Sequence, residues 1–174
     1  MRRLVLAAPL LFTGCLATLP AATPAAVSSS TLRPEAFFDG RTRGTGTLVV
    51  RGQTEEIVRV ESRGQAEPNG TFRLDQTIVQ EDAAPRTRTW FMAATGGGYR
   101  ATLTDAHGRV TARTDGPRFR IRYAMNRWGL AMEQTLTLLP GDTLVHNAAT
   151  VRWLGLPVAR LAERIVRLDG PMRR

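Results

Sequence analysis

The densest run of chemically capable side chains in the sequence is Arg118-Phe119-Arg120-Ile121-Arg122-Tyr123-Ala124-Met125. If the run is a strand, alternation places its three guanidinium groups on one face. There they could meet neighbouring carboxylates or the phosphates of a lipid surface. Phe119, Ile121, Tyr123 and Met125 then share the opposite face and could wall an apolar site, with Trp90, Leu103 and one of Phe91 and Met92 as further candidates. His146, in the middle of another alternating segment, is the remaining candidate for such a wall. A strand that binds nucleic acid needs its aromatics and cations on the same face, which alternation forbids here, so no nucleic-acid partner is expected.

The inventory for catalysis is thin. Cys15 is the only cysteine, and His107 and His146 are the only histidines, which disfavours a zinc site. His107 lies in the turn-like stretch Asp105-Ala106-His107-Gly108. Ser62 is the only serine after residue 30, and no Gly-x-Ser-x-Gly elbow surrounds it. Glu55-Glu56 and Glu81-Asp82 are adjacent in sequence, so a strand would point the members of each pair to opposite faces. Gly96-Gly97-Gly98 lacks the lysine and following helix of a phosphate loop. The sequence therefore predicts no catalytic residues, no metal and no cofactor.

All 24 basic residues are arginine, and the net charge is +9. Arg2, Arg3, Arg173 and Arg174 carry four of those charges at the termini, leaving a mildly cationic body rather than a polycation. The absence of lysine fits the codon bias of a GC-rich genome ahead of selection for guanidinium chemistry. At the N-terminus, Met1-Arg2-Arg3 followed by the apolar run Leu4 to Phe12 has the layout of an export signal and is too short to span a bilayer. Two cleavage schemes fit. Leu11-Phe12-Thr13-Gly14-Cys15 resembles a bacterial lipobox, in which cleavage after Gly14 leaves an acylated Cys15 as a membrane anchor. The alternative is ordinary cleavage after Ala22 or Ala26. Residues 1–22 are thus expected to be the signal, 23–35 a flexible linker, and 36–170 a single domain.

From Gly44 onward apolar residues recur with period two, and turn residues interrupt them about every ten positions. Strands are expected near residues 46–51, 56–62, 71–79, 86–92, 99–104, 109–113, 118–125, 132–139 and 144–153. Pro68-Asn69-Gly70, Gly96-Gly97-Gly98, Asp105 to Gly108 and Pro140-Gly141-Asp142 suit tight hairpins. Nine to ten consecutive strands without intervening helices predict an all-β, antiparallel up-and-down sheet, closed into a barrel because an open sheet of that length leaves two adhesive edges. The final stretch is ambiguous. Val158, Leu161, Ala162, Ile165 and Leu168 recur at helical spacing behind Pro157, so the local pattern favours a closing helix over a strand.

The order of motifs resembles an uncharacterised family of Gram-negative exported proteins, described as lipoproteins of unknown function with lipocalin-like barrels. The residues that carry it are Phe38-Asp39-Gly40-Arg41-Thr42-Arg43-Gly44-Thr45-Gly46, Leu74-Asp75, Arg88-Thr89-Trp90, Tyr99, Asp105, Gly108, Asn147 and Gly155. The resemblance spans roughly residues 36 to 168. It implies a lipocalin- or calycin-like barrel closed by a C-terminal strand, and it supplies no activity. Where the family has an Asp-Asp-Trp-Met run, this chain has Glu133-Gln134-Thr135-Leu136, and the arginine that commonly follows the asparagine is Ala148.

These readings converge on a non-enzymatic barrel facing the periplasm, tethered to a membrane through Cys15 or soluble there. It is expected to bind a small apolar or amphiphilic molecule such as a lipid through Trp90, Phe119, Ile121, Tyr123, Met125 and His146. The acyl chain would lie inside and an acidic headgroup would meet arginines at the mouth. The alternative is a structural or interaction protein of the cell envelope with a solid barrel core.

Overall fold

The computed structural model describes Pro24, residues 26–81 and residues 83–168. The expected export signal and Cys15 lie outside the described residues. One helical turn, α1 (Pro34–Phe37), precedes ten strands: β1 (Gly40–Val50), β2 (Glu56–Ala66), β3 (Phe72–Gln80), β4 (Ala83–Thr95), β5 (Gly98–Leu103), β6 (His107–Asp115), β7 (Arg118–Ala124), β8 (Leu130–Leu138), β9 (Leu144–Trp153) and β10 (Leu156–Arg167). Each strand pairs antiparallel with the next. β10 returns to β1 in a register running from Thr42 opposite Arg167 to Val50 opposite Ala159, which closes the barrel and leaves no edge.

The C-terminal stretch is a strand, against the helical reading of its local pattern. β10 places Ala159, Glu163 and Ile165 inside, so a carboxylate interrupts the inward apolar row. A bulge between Pro157 and Ala159 shifts the register at its start, and Val166 sits on the outside. Hydrogen bonding to both β1 and β9 overrides the helical spacing.

Alternation works as expected on β7, where Phe119, Ile121 and Tyr123 are buried. The arginines between them lie on the outer face. Arg120 meets Asp115 at 3.0 Å, while Arg122 and Arg152 share Glu133 at 3.7 and 2.9 Å. Such exposed pairs add little stability. They do show that the outer wall is not the apolar band of a membrane-spanning barrel. Among the described residues, no helix is long and apolar enough to cross a membrane.

One end of the barrel is plugged. Residues 28–35, expected as part of a flexible linker, instead pack across it. Ser28 N donates to Leu138 O and Leu32 N to Gly116 O, each at 2.9 Å, and the Thr114 hydroxyl donates to Leu32 O at 3.1 Å. The Ser28 and Ser30 hydroxyls donate to Asp142 at 2.6 and 2.7 Å and hold its carboxyl below the usual range. Leu32, Pro34, Phe37 and Phe38 drop into the core, where the two phenylalanine rings meet edge to face at 5.0 Å. Tyr99 OH donates to Glu35 at 2.8 Å and ties α1 to β5; burial, then Glu35, pushes its pKa up to about 12.

Candidate functional site

The plug divides the interior into unlike halves. Beside it, Phe38, Leu74, Trp90, Met92, Phe119 and Leu136 leave only about 40 Å³, little more than room for a water. At the opposite end, β1 to β4 and β8 to β10 surround a cavity of about 220 Å³. Its walls are smaller side chains: Leu48, Val58, Val60 and Ile78 on one side, and Ala149, Val151, Ala159 and Leu161 on the other. Met125 and Met132, flexible enough to adapt to an occupant, join them, and Gln80 and Arg86 complete the wall, the latter 3.7 Å from the Asp105 carboxylate.

A belt of polar side chains separates the halves and forms the cavity floor. Arg88, Gln134, Asn147 and Glu163 line both spaces. Three of them are inward positions where an apolar row is interrupted: Gln134 between Met132 and Leu136, Asn147 between Val145 and Ala149, and Glu163 between Leu161 and Ile165. Gln76, between Leu74 and Ile78, joins the belt from β3. Its Oε1 accepts from Arg88 Nε at 2.9 Å and Trp90 Nε1 at 3.0 Å, while its Nε2 donates to Ser62 Oγ at 3.1 Å. Arg88 also donates to Tyr123 OH at 3.3 Å and lies 5.7 Å from the Trp90 ring centroid. Among the described residues its hydrogen-bond partners, Gln76 and Tyr123, are neutral.

Glu163 is the unusual member. Burial pushes its carboxyl pKa up, against the opposing pull of the hydrogen bond from Asn147 and the charge of Arg88. Asn147 Nδ2 donates to it at 2.9 Å, and the other end of the Asn147 amide, 95% buried with its residue, has no partner. The fold makes space for this carboxylate through two glycines of β1. A Cβ at Gly44 would overlap the Glu163 carboxylate, and one at Gly46 would lie 2.8 Å from Glu163 Cβ. The Gly-x-Gly motif is therefore the bed of Glu163.

Of the residues expected at the site, Trp90, Phe119 and Ile121 line the small space beside the plug, and Tyr123 belongs to the same core and holds Arg88. Met125 lines the cavity. His146 does not face the interior. Val145, Asn147 and Ala149 take the inward positions of β9, so His146 lies on the outer face opposite Arg164, where burial and that arginine lower its pKa. The belt was missed, although the signal existed: a single polar residue at the inward parity of several alternating strands. Among the described residues, no three His, Cys, Asp or Glu side chains converge to hold a metal.

Residues 10–167 match the family described as a protein of unknown function, DUF3833. The chain belongs to DUF3833. The fold is shared with the S-type phycobiliprotein lyase of Guillardia theta, with a TM-score of 0.59 and 9% identity over 76% of this chain and 89% of that one. A protein of unknown function from Nostoc punctiforme, of the DUF3598 family, aligns with a TM-score of 0.62 and 17% identity over 85% of this chain. The DUF3833 chain spans only 53% of that longer protein. At these identities the likeness is one of fold, a calycin-like barrel. A search of the curated proteins finds no match.

Proposed function

We propose that this DUF3833 protein is a non-catalytic, lipocalin-like binding protein of the cell envelope. It takes one small amphiphilic acid, such as a fatty acid, headgroup first. The observation that carries this reading is the combination of mainly apolar walls with a polar floor in which the buried Asn147 Oδ1 has no partner among the described residues. An apolar void would suit a hydrocarbon; this floor suits a polar end. Arg88, whose hydrogen-bond partners among the described residues are neutral, supplies the charge for an acid group, and Asn147 Oδ1, which can only accept, is left for a hydroxyl or N–H beside that group. The orientation is the reverse of the sequence expectation, which put the headgroup at the mouth.

Size limits the occupant. About 220 Å³ exceeds the roughly 150 Å³ apolar cavity known to take benzene and falls below the roughly 300 Å³ at which drug-sized pockets begin. The cavity therefore holds the headgroup and the first part of one chain, and the remainder leaves through the mouth. Export and tethering through Cys15 complete the proposal and place the protein in the periplasm.

The test is titration of delipidated protein with a fluorescent fatty acid. Saturable binding is expected in the parent. Arg88→Gln should weaken it about tenfold or more, as for loss of a charge-assisted hydrogen bond, and Ala149→Phe, which fills the cavity, should abolish it. Absence of saturable binding in the parent would leave the envelope interaction protein as the better reading.

A further inference from the structure

The mouth carries a surface that the cavity does not need. Trp128 is 67% exposed, Leu154 70%, Leu156 61% and Trp153 51%. Trp128 lies in the β7–β8 connection and Leu154 in the neighbouring β9–β10 turn, with Trp153 and Leu156 the strand-end residues that flank that turn. These are fastened into one tip: Leu154 N donates to Gly129 O at 3.0 Å, Trp153 Nε1 donates to Trp128 O at 3.2 Å, and Leu130 pairs with Trp153. The Leu154 side chain lies over Gly129, where a Cβ would not fit.

Leu154 is out of place by local rules. Leu154 and Gly155 form a two-residue hairpin with φ of 47° and 88°. A turn with positive φ at both positions favours Asn-Gly or Asp-Gly, and a leucine there is strained and exposed at once. The turn thus gives up stability to hold an aliphatic side chain that is 70% exposed. The ground behind it is cationic. Arg127 stacks over Trp128 at 4.6 Å, and Arg152 shares the one carboxylate of Glu133 with Arg122.

We propose that this tip docks the barrel mouth on an anionic lipid bilayer, with Leu154 and Leu156 entering the acyl boundary, the two tryptophans at headgroup level, and Arg127 and Arg152 against phosphates. Tryptophan suits the interface because its ring is apolar and its N–H polar; arginine suits lipid phosphates. A protruding apolar tip needs no complementary pocket in a fluid interface, whereas a protein partner would have to supply one. Charge complementarity points the same way. The tip is also continuous with the cavity: Met132 and Val151 face each other in its wall, and Trp153 extends the inward row of β9, Asn147-Ala149-Val151, past the rim. A docked mouth lets an amphiphile pass between bilayer and cavity without crossing water.

The experiment uses the exported protein carrying Cys15→Ser, so that no acyl chain is attached. Binding is measured by sedimentation with vesicles of phosphatidylcholine and phosphatidylglycerol, and with phosphatidylcholine alone. Preference for the anionic vesicles, weakening with salt, and a blue shift of tryptophan emission are expected. Leu154→Asn combined with Trp128→Ala should bind at least about tenfold more weakly, from the apolar area lost. Leu154→Asn alone installs the preferred Asn-Gly turn, so its thermal midpoint should not fall and weakened binding cannot be blamed on misfolding. Equal binding by parent and double variant overturns the proposal. So does a parent that ignores vesicles and forms a dimer abolished by Leu154→Asn, since the tip would then join two copies. Fatty-acid uptake is scored separately in detergent-free buffer, which keeps failure of docking distinct from failure of the cavity reading.

Discussion

Glu163 is a carboxyl group whose folded surroundings favour its proton. Because its pKa is raised on folding, the native state binds more protons than the unfolded chain, and unfolding releases them. Its contribution is most favourable below the ordinary carboxyl pKa of 4.5 and is lost as pH rises from there through its higher folded value. Glu163→Gln keeps the shape and a hydrogen-bonding partner for Asn147 but cannot ionise. The variant should match the parent near pH 4.5 and be more stable at pH 8, with a flatter profile of thermal midpoint against pH. Parallel profiles would mean that the parent's carboxylate is already at ease when charged, through Arg88. The glutamate accepts this cost at neutral pH, as a residue not optimised for stability alone does.

At the scale of elements, β1 and β10 are shaped for each other. Replacing a strand glycine by alanine ordinarily gains about 0.5–1 kcal/mol, whereas overpacking a tight interior costs about 1–3 kcal/mol. At Gly44 the second effect wins, because a Cβ would overlap the Glu163 carboxylate. Gly44→Ala should therefore lower the urea midpoint, and in a Glu163→Ala background the same change should cost far less. A double-mutant cycle with no coupling would remove Glu163 from contact with β1. The same pair shows what a linear reading could detect. β7 was legible because its inward residues Phe119, Ile121 and Tyr123 are all aromatic or aliphatic and its outward ones are arginine up to the final Ala124. β10 was hidden by an inward glutamate, an outward Val166 and the bulge at Pro157 to Ala159. The cavity was missed for a related reason. Searching for large apolar side chains finds Trp90, Phe119 and Ile121, which fill space, whereas a hollow is left where the wall is valine and alanine. His146 was misplaced by parity: a single-residue choice of face on β9 decides whether His146 or Asn147 looks inward.

The whole molecule has two ends with separate tasks. The plugged end holds the large aromatic core, built from the plug and the strands together, and the mouth holds the cavity, with the polar belt between them. If the division is real, stability and affinity should respond to different substitutions. Phe38, buried in the plug, is expected to cost about 3–5 kcal/mol on conversion to alanine, while the fatty-acid dissociation constant of the folded variant stays near that of the parent. Ala149→Phe should do the converse, losing the ligand and retaining most of the stability. Ligand present at about a hundred times its dissociation constant stabilises a native protein by about 2.7 kcal/mol, which in a domain of this size raises the midpoint by roughly 5–11 °C. That rise should appear in the parent and in Phe38→Ala, from a lower baseline, and vanish in Ala149→Phe. A rise that vanished equally in both variants would show that the halves act as one body and that the belt is part of a continuous core rather than the floor of a site.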